Sequence, residues 1–144
     1  MTNRGVLNLF VSLTSLDGNI RGVKVAYAVM INCKNLKAVV DSLRAGLKDY
    51  DAELAKINLM YCKRDNGEPV HKNNRYIFND DVIELYTAAI TELDEKYKTE
   101  LAEYEKLLDE ECTVSIHKIK LESVPEDISI SQMNLLSGII LEEQ

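Results

Sequence analysis

Residues 21–63 read RGVKVAYAVM INCKNLKAVV DSLRAGLKDY DAELAKINLM YCK, and this stretch decides the fold. Ala26, Val29, Cys33, Leu36, Val40, Leu43, Leu47, Tyr50, Leu54, Ile57 and Tyr61 recur at alternating steps of three and four, over five heptads. Such spacing is the seam of a coiled coil or a long helical hairpin. Nothing in the stretch breaks a helix except Gly22 at its start and Gly46 inside it. A continuous helix of roughly 40 residues predicts a rod of about 60 Å. Gly46 lies off the seam, where glycine costs about 1 kcal/mol relative to alanine. It marks either a close approach by another chain or a tolerated weak point.

Working outward, Val6, Leu9, Phe10 and Leu13 give helical spacing to a short helix over residues 1–16, and Leu16-Asp17-Gly18-Asn19 is a turn signal. Beyond the long helix, Asp65-Asn66-Gly67 and Pro69 are turn residues. Pro69-Val70-His71 and Arg75-Tyr76-Ile77-Phe78 flank Lys72-Asn73-Asn74, which predicts a small β-hairpin within 65–79. Asn79-Asp80-Asp81 caps a second long helix over 80–110. Its stripe, Val82, Tyr86, Ala89, Leu93, Tyr97, Leu101, Tyr104 and Leu108, is helical but less strictly heptad. Residues 112–121, CTVSIHKIKL, alternate in the manner of a strand. A lone strand is unstable, so it is expected to pair with the 68–78 hairpin or with another subunit. A short, strongly apolar helix over 129–141, begun by Ser129 or Ser131, closes the pattern. The expected fold is therefore mainly α with a small β-element (α+β), in one domain spanning 1–144. It is an antiparallel hairpin of two long helices, a short β-hairpin plus one strand, and short terminal helices.

Charge is divided unevenly. Residues 21–75 hold eleven basic against six acidic residues, while 76–144 hold five against seventeen, within a net charge of −7. The plainer reading is that neighbouring antiparallel helices attract along their flanks; the sharper one is that the basic arm holds an anion. The strongly acidic second half argues against duplex nucleic acid as a partner. No apolar run reaches the roughly 18 residues a membrane span needs, and residues 1–13 carry no signal-like cleavage site. Cys33, Cys62 and Cys112 form no CxxC pair and are read as reduced thiols in a cytosolic compartment. His71 and His117 are the only histidines, so neither a Cys-His pair nor a metal set is legible. No cofactor is implied.

The order of elements, with Lys24-Val25-Ala26-Tyr27 opening a helix that runs through Asn32 and Leu36, and Thr113 to Leu121 following the acids Asp109-Glu110-Glu111, resembles a family of small phage-encoded proteins of unknown function. The likeness covers nearly the full length; residues 64–79 depart from it. It implies a phage or prophage origin and expression in the host bacterial cytoplasm, and it brings no settled activity.

Lys24, Tyr27 and Asn32 match polar positions of the family's helix opening, and Arg21 adds charge beside them. They are candidates for an anion site with Tyr27 as a stacking face; the plainer reading is a packed ring with solvated or capping neighbours. Arg75 and Tyr76, beside His71 and Lys72, are candidates for stacking a base and pairing a phosphate, against the plainer reading of a solvated loop. The acids of 92–111 read as a solvated helix face, since a working carboxylate needs an unusual environment.

The leading expectation is a non-enzymatic phage protein that antagonises host defence by sequestering a small nucleotide signal or a host immune protein. The alternative is a phage morphogenesis or virion structural protein. An enzyme finds no nucleophile–base pair, metal set or phosphate loop. The seam exceeds what one helix of about 30 residues covers, so a homo-oligomer, a dimer, is expected.

Overall fold

Each helix starts and stops where its residues allow. The structure, a computed structural model, describes residues 1–16 and 20–142. Helix α1 (Asn3–Thr14) begins at Thr2, whose side chain accepts from the Gly5 N–H. Then follow α2 (Val23–Ala45), α3 (Lys48–Tyr61), four two-residue strands β1 (Arg64–Asp65), β2 (Glu68–Pro69), β3 (His71–Lys72) and β4 (Arg75–Tyr76), α4 (Asp80–Lys96), α5 (Lys98–Asp109) and α6 (Ile130–Leu136). Ser129 opens α6 with a capping box, its side chain accepting from the Gln132 N–H while the Gln132 side chain accepts from the Ser129 N–H. The fold is mainly helical with a small antiparallel β-element and short terminal helices, as expected. The expected turn at Asp17-Gly18-Asn19 lies outside the described residues.

Neither long helix is continuous. The first breaks at Gly46-Leu47, where Leu47 leaves helical geometry at φ −116°, ψ 22°. Glycine's low helix propensity places the break there rather than a turn earlier or later. The second breaks at Tyr97, at φ −105°, ψ 19°. The expected rod of 40 residues is thus two helices of 23 and 14 residues.

The chain packs as two compact units, Met1–Arg44 with Lys106–Gln144, and Ala45–Glu105. The first unit holds the core. Val6, Leu9 and Leu13 of α1, Val25, Ala28, Leu36 and Val40 of α2, Ile119, Val124, Leu136 and Ile139 are all buried together. Gly138 makes one close approach possible: a Cβ there would lie 2.6 Å from Leu9 Cδ1. Within α2 the buried stripe starts one residue earlier than the heptad reading. Val25, Ala28 and Asn32 are buried, Val29 and Cys33 are half-buried, and Ala26 is exposed.

Residues 112–120 are extended but enter no sheet. Isolated backbone bridges flank the segment, Thr2 with Glu111 just before it and Ile119 with Ile140 near its end. The middle of the segment is held by side chains of α2 instead. Asn32, fully buried, donates through Nδ2 to the His117 carbonyl at 2.9 Å and accepts from the His117 N–H at 2.7 Å. Asn35 donates to the Ser115 carbonyl at 3.1 Å. A carboxamide presents the same donor and acceptor as a peptide unit, so Asn32 does the work of a neighbouring strand. The expected pairing with the 68–78 hairpin is corrected accordingly.

In the second unit, α3 and α4 run antiparallel. Tyr50 meets Asp94 and Tyr97 near one end, and Asn58 and Tyr61 meet Tyr86 near the other. Two hairpins join them. Arg64 pairs with Pro69 and Asp65 with Glu68, around Asn66-Gly67; His71 pairs with Tyr76 and Lys72 with Arg75, around Asn73-Asn74. All four turn residues have positive φ (49°, 83°, 52° and 60°), as a two-residue type I′ turn requires of both its central positions. Between the hairpins three amides close a ring: Lys63 N–H donates to the Ile77 carbonyl, Ile77 to Val70, and Val70 to Lys63. The expected hairpin is present, and a second precedes it.

Replacing Asn32 by alanine strands the part-buried N–H and C=O of His117 in the 112–120 segment. Because Asn32 is itself fully buried while His117 is only part-buried, we expect Asn32→Ala to lower stability by about 1–3 kcal/mol, and Asn35→Ala, whose single bond is exposed, by less than about 1 kcal/mol. Urea unfolding of the two variants checks this; equal, small losses would refute the strand-surrogate role.

Candidate functional site

The six residues singled out in the sequence divide between the two units. Arg21, Lys24, Tyr27 and Asn32 belong to the first, Arg75 and Tyr76 to the second. Each group is described by itself.

Helix α2 opens after Gly22, at φ +116°, a conformation glycine tolerates and other residues rarely adopt. A Cβ there would meet Pro125 only at ordinary contact distance, 3.5 Å, so the constraint is the backbone conformation. The first intrahelical bond runs from Ala26 N–H to the Gly22 carbonyl, which leaves the amides of Val23, Lys24 and Val25 at the helix start. No acidic residue stands in that first turn. Lys24 is fully in solvent, and Arg21 is exposed one residue ahead of Gly22. The Tyr27 ring, one turn on, is 57% exposed and is held edge-on by His117, ring centroids 5.4 Å apart at 86°. His117 is itself fixed by Asn32 through its backbone, so the clamp described above also sets the Tyr27 ring.

The start of α2 thus carries two exposed cations, Arg21 and Lys24, and the Tyr27 ring held against His117, on an open stretch of surface. It is a surface and not a cavity. The recess that Arg21 lines with Pro125, Asp127 and Gln132 holds about 40 Å³, room for about one water molecule. Asp127 in that recess opposes the Arg21 charge. Asn32 is not part of the surface: it is fully buried and both ends of its amide are engaged with His117. Its role is to position, and the partner that sequence reasoning missed is His117. The 85 residues between them hid it.

On the second unit, Arg75 and Tyr76 are adjacent in β4, so their side chains leave opposite faces. Tyr76 packs on its cross-strand neighbour His71, centroids 4.5 Å apart. Arg75 stands opposite Lys72, both exposed, a like-charge pair that opposes the hairpin. The aromatic pair and the cationic pair are therefore separated, and a single base-stacking, phosphate-pairing clamp does not form on β3–β4.

The most elaborate polar cluster was not singled out from the sequence. Tyr97 donates to Glu53 Oε1 at 2.7 Å, Lys96 donates to both Glu53 oxygens at 2.8 and 2.9 Å, and Tyr50 donates to Asp94 at 2.7 Å. Tyr50 and Tyr97 meet edge to face. The Asp94 carboxylate pushes the Tyr50 hydroxyl up to about 12, and the Glu53 carboxylate does the same to Tyr97. Lys96, then Tyr97, hold the Glu53 carboxyl below its ordinary range. The tyrosine stripe was visible in the sequence; its acid partners lie 44 residues away. The arrangement is a clasp between α3 and α4.

Cys33, Cys62 and Cys112 are free thiols, and burial pushes Cys33 up, away from the reactive thiolate. Among the described residues no group of three His, Cys, Asp or Glu side chains is placed to hold a metal ion, and no helix is long and apolar enough to cross a membrane. Comparisons with protein-family models, with curated proteins and with solved structures return no match for this chain.

The clasp makes a pH prediction. Both phenols bind their proton more tightly folded than unfolded, so their contribution is complete below about pH 10 and is lost as pH rises toward 12. Glu53 is shifted down, so its contribution is present above the ordinary carboxyl range and lost as pH falls. Ultraviolet titration should find two late tyrosines near pH 12, and Glu53→Gln should return Tyr97 alone to the ordinary range.

Proposed function

We propose that this chain is a non-enzymatic binding protein. It holds a small anionic ligand of nucleotide type on the opening turn of α2. The observation that carries the reading is the start of a 23-residue helix with no acid in its first turn, flanked by the exposed Arg21 and Lys24 and followed by the exposed Tyr27 ring. Helix amides and cations suit a phosphate, and an immobilised tyrosine face suits a base. Arg21, Lys24 and Tyr27 do the binding; Asn32 and His117 hold the ring in place. The resemblance to small phage proteins gives the biological setting: stoichiometric capture of a nucleotide signal of host defence, in the bacterial cytoplasm, with a host immune protein as the other target of the same surface.

The test is native mass spectrometry of the intact protein purified from bacteria that express a nucleotide-signalling defence system, followed by calorimetry with the nucleotide found. The expected result is an added nucleotide mass at near-stoichiometric occupancy. Lys24→Glu and Tyr27→Ala each weaken binding at least about tenfold, the size of one lost charge-assisted bond or stacked ring, while Arg75→Glu leaves it unchanged. Protein carrying no added mass, and showing no heat with added nucleotides, would sink this reading.

A second reading, a phage morphogenesis or virion structural protein, is favoured by apolar side chains left in solvent on α4 and at the end of α3, Leu85 at 60% and Met60 at 70% exposure. Peptides of this chain in purified virions, at fixed copy number, would support it. Absence from virions would leave the binding reading in place.

A further inference from the structure

The tip of the first hairpin carries a reaction of its own. Asn66-Gly67 is the single Asn-Gly pair in the sequence. Asparagine before glycine is open to intramolecular attack, because no Cβ on the next residue crowds the approach of its amide nitrogen to the side-chain carbonyl. Residues 63–68 are all exposed. A Cβ built on Gly67 would meet no atom within 4 Å, so nothing packs over the turn at that point. The closed turn itself resists the attack. Asn66 at φ 49° and Gly67 at φ 83° hold the type I′ arrangement. That backbone does not set Asn66 Cβ beside the Gly67 nitrogen about the Cα–C bond, as closure of a five-membered ring requires. The hairpin must open first, and it opens at low cost, because β1 and β2 are two residues each and so short a pair is marginal by itself. Its tether is Arg64, which donates Nη1 to the Gly67 carbonyl at 2.9 Å and Nη2 to the Leu59 carbonyl at 2.8 Å. Arg64 thus ties the hairpin tip to the last turn of α3.

We infer that Asn66 is a site of spontaneous deamidation, and that its isoaspartyl product releases the hairpin tip from α3. The Gly67 nitrogen, on losing its proton, attacks Asn66 Cγ. The N–Cγ bond forms, the bond from Cγ to the side-chain nitrogen breaks, and that nitrogen leaves as ammonia. Water then opens the succinimide at one of two bonds. Cleavage of the new N–Cγ bond gives aspartate with the chain path unchanged. Cleavage between the Gly67 nitrogen and the Asn66 main-chain carbonyl gives isoaspartate, in which the chain runs through Cβ and Cγ. The net change is one water consumed and one ammonia released, with no oxidant or reductant. Aspartate keeps the turn, since Asp-Gly also suits type I′. Isoaspartate lengthens the backbone by one methylene. The two-residue turn then no longer joins Asp65 to Glu68 in register, and the Gly67 carbonyl moves away from Arg64. Either product adds a carboxylate between Asp65 and Glu68, which themselves stand opposite each other. This chemistry is independent of the ligand read for α2.

The second hairpin is an internal control. Asn73 and Asn74 take the same two turn positions, at φ 52° and 60°, and both are exposed. Their hairpin opens at least as readily, because Lys72 and Arg75 oppose each other across it. The difference lies in the residue after the first asparagine: Asn74 carries a Cβ where Gly67 has none.

The test incubates the folded full-length chain in mildly alkaline buffer, where the attacking amide loses its proton more often, and samples it by peptide mass mapping. Asn66 should gain the mass of an amide turned acid at least about tenfold faster than Asn73 or Asn74. Isoaspartyl methyltransferase with radioactive S-adenosylmethionine should mark the same peptide. Asn74→Gly, which the positive φ at that position accommodates, should bring Asn73 up to the rate of Asn66. Hydrogen exchange over residues 59–70 should be faster in the isoaspartyl form than in Asn66→Asp, which carries the charge without the added methylene. Asn66 converting no faster than Asn73 overturns the site. So does Asn66 staying intact in the folded chain while it converts in urea, because the fold then protects it. Aspartate without isoaspartate, or exchange no faster than in Asn66→Asp, overturns the release of the tip.

Discussion

The first unit depends on one side chain. Asn32 sits on the buried stripe of α2, where every neighbour on the pattern is apolar, and a buried amide without partners would cost several kcal/mol. It is satisfied by grasping both polar groups of one distant peptide residue, His117. That bond turns an otherwise unpaired extended segment into the fourth wall of the core, with Val114 and Ile116 packed against it and Ile119 buried in it. It also aims His117 at Tyr27. Packing and surface thus share one cause: the polar residue that interrupts the apolar stripe fixes both the core segment beneath it and the ring above it.

The second unit is built by other means. It has little buried area, and it holds its two helices with hydroxyl–carboxylate bonds, edge-on rings and a bidentate lysine. These contacts are specific but largely exposed, and exposed ion pairs contribute little net stability. Direction along the hairpin comes from the positions of Tyr50, Asn58, Tyr86 and Tyr97; what is scarce is hydrophobic burial. The contrast separates a unit whose stability is internal from one whose surface is left for something else.

Much of this architecture was legible. Heptad spacing located α2 and α3, Asn-Asn and Asn-Gly located the turns, and Ser129 located the start of α6. The breaks at Gly46 and Tyr97 were not legible in spacing, because a helix that bends or restarts keeps its apolar period on either side. Gly46 reads equally as a close approach by another chain or as a tolerated weak point, and neither reading separates a break from a continuous helix. The 112–121 segment read as a strand because alternation reports an extended chain, and it does not report whether the neighbour is a strand or an amide side chain. Of the candidate residues, Arg21, Lys24 and Tyr27 all stand exposed at the start of α2. Asn32 is buried with its amide engaged by the His117 backbone, a partner that polarity in a sequence does not disclose. Arg75 and Tyr76 were linked by adjacency, which in a strand is what sends two side chains to opposite faces.

The first unit is discontinuous, its two segments separated by the whole of residues 45–105. During synthesis α1 and α2 therefore leave the ribosome long before residues 106–142 exist to cover them. For that interval Val6, Leu9, Leu13, Val25, Leu36 and Val40 face water, with the Asn32 amide hydrated among them. The second unit, being contiguous, emerges complete in the meantime. The nascent chain is thus a sticky half-core trailing a finished hairpin. Its yield in a cell depends on how quickly translation reaches Ile139, and slow codons within 45–105 would do more harm to the folding of the first unit than of the unit they encode.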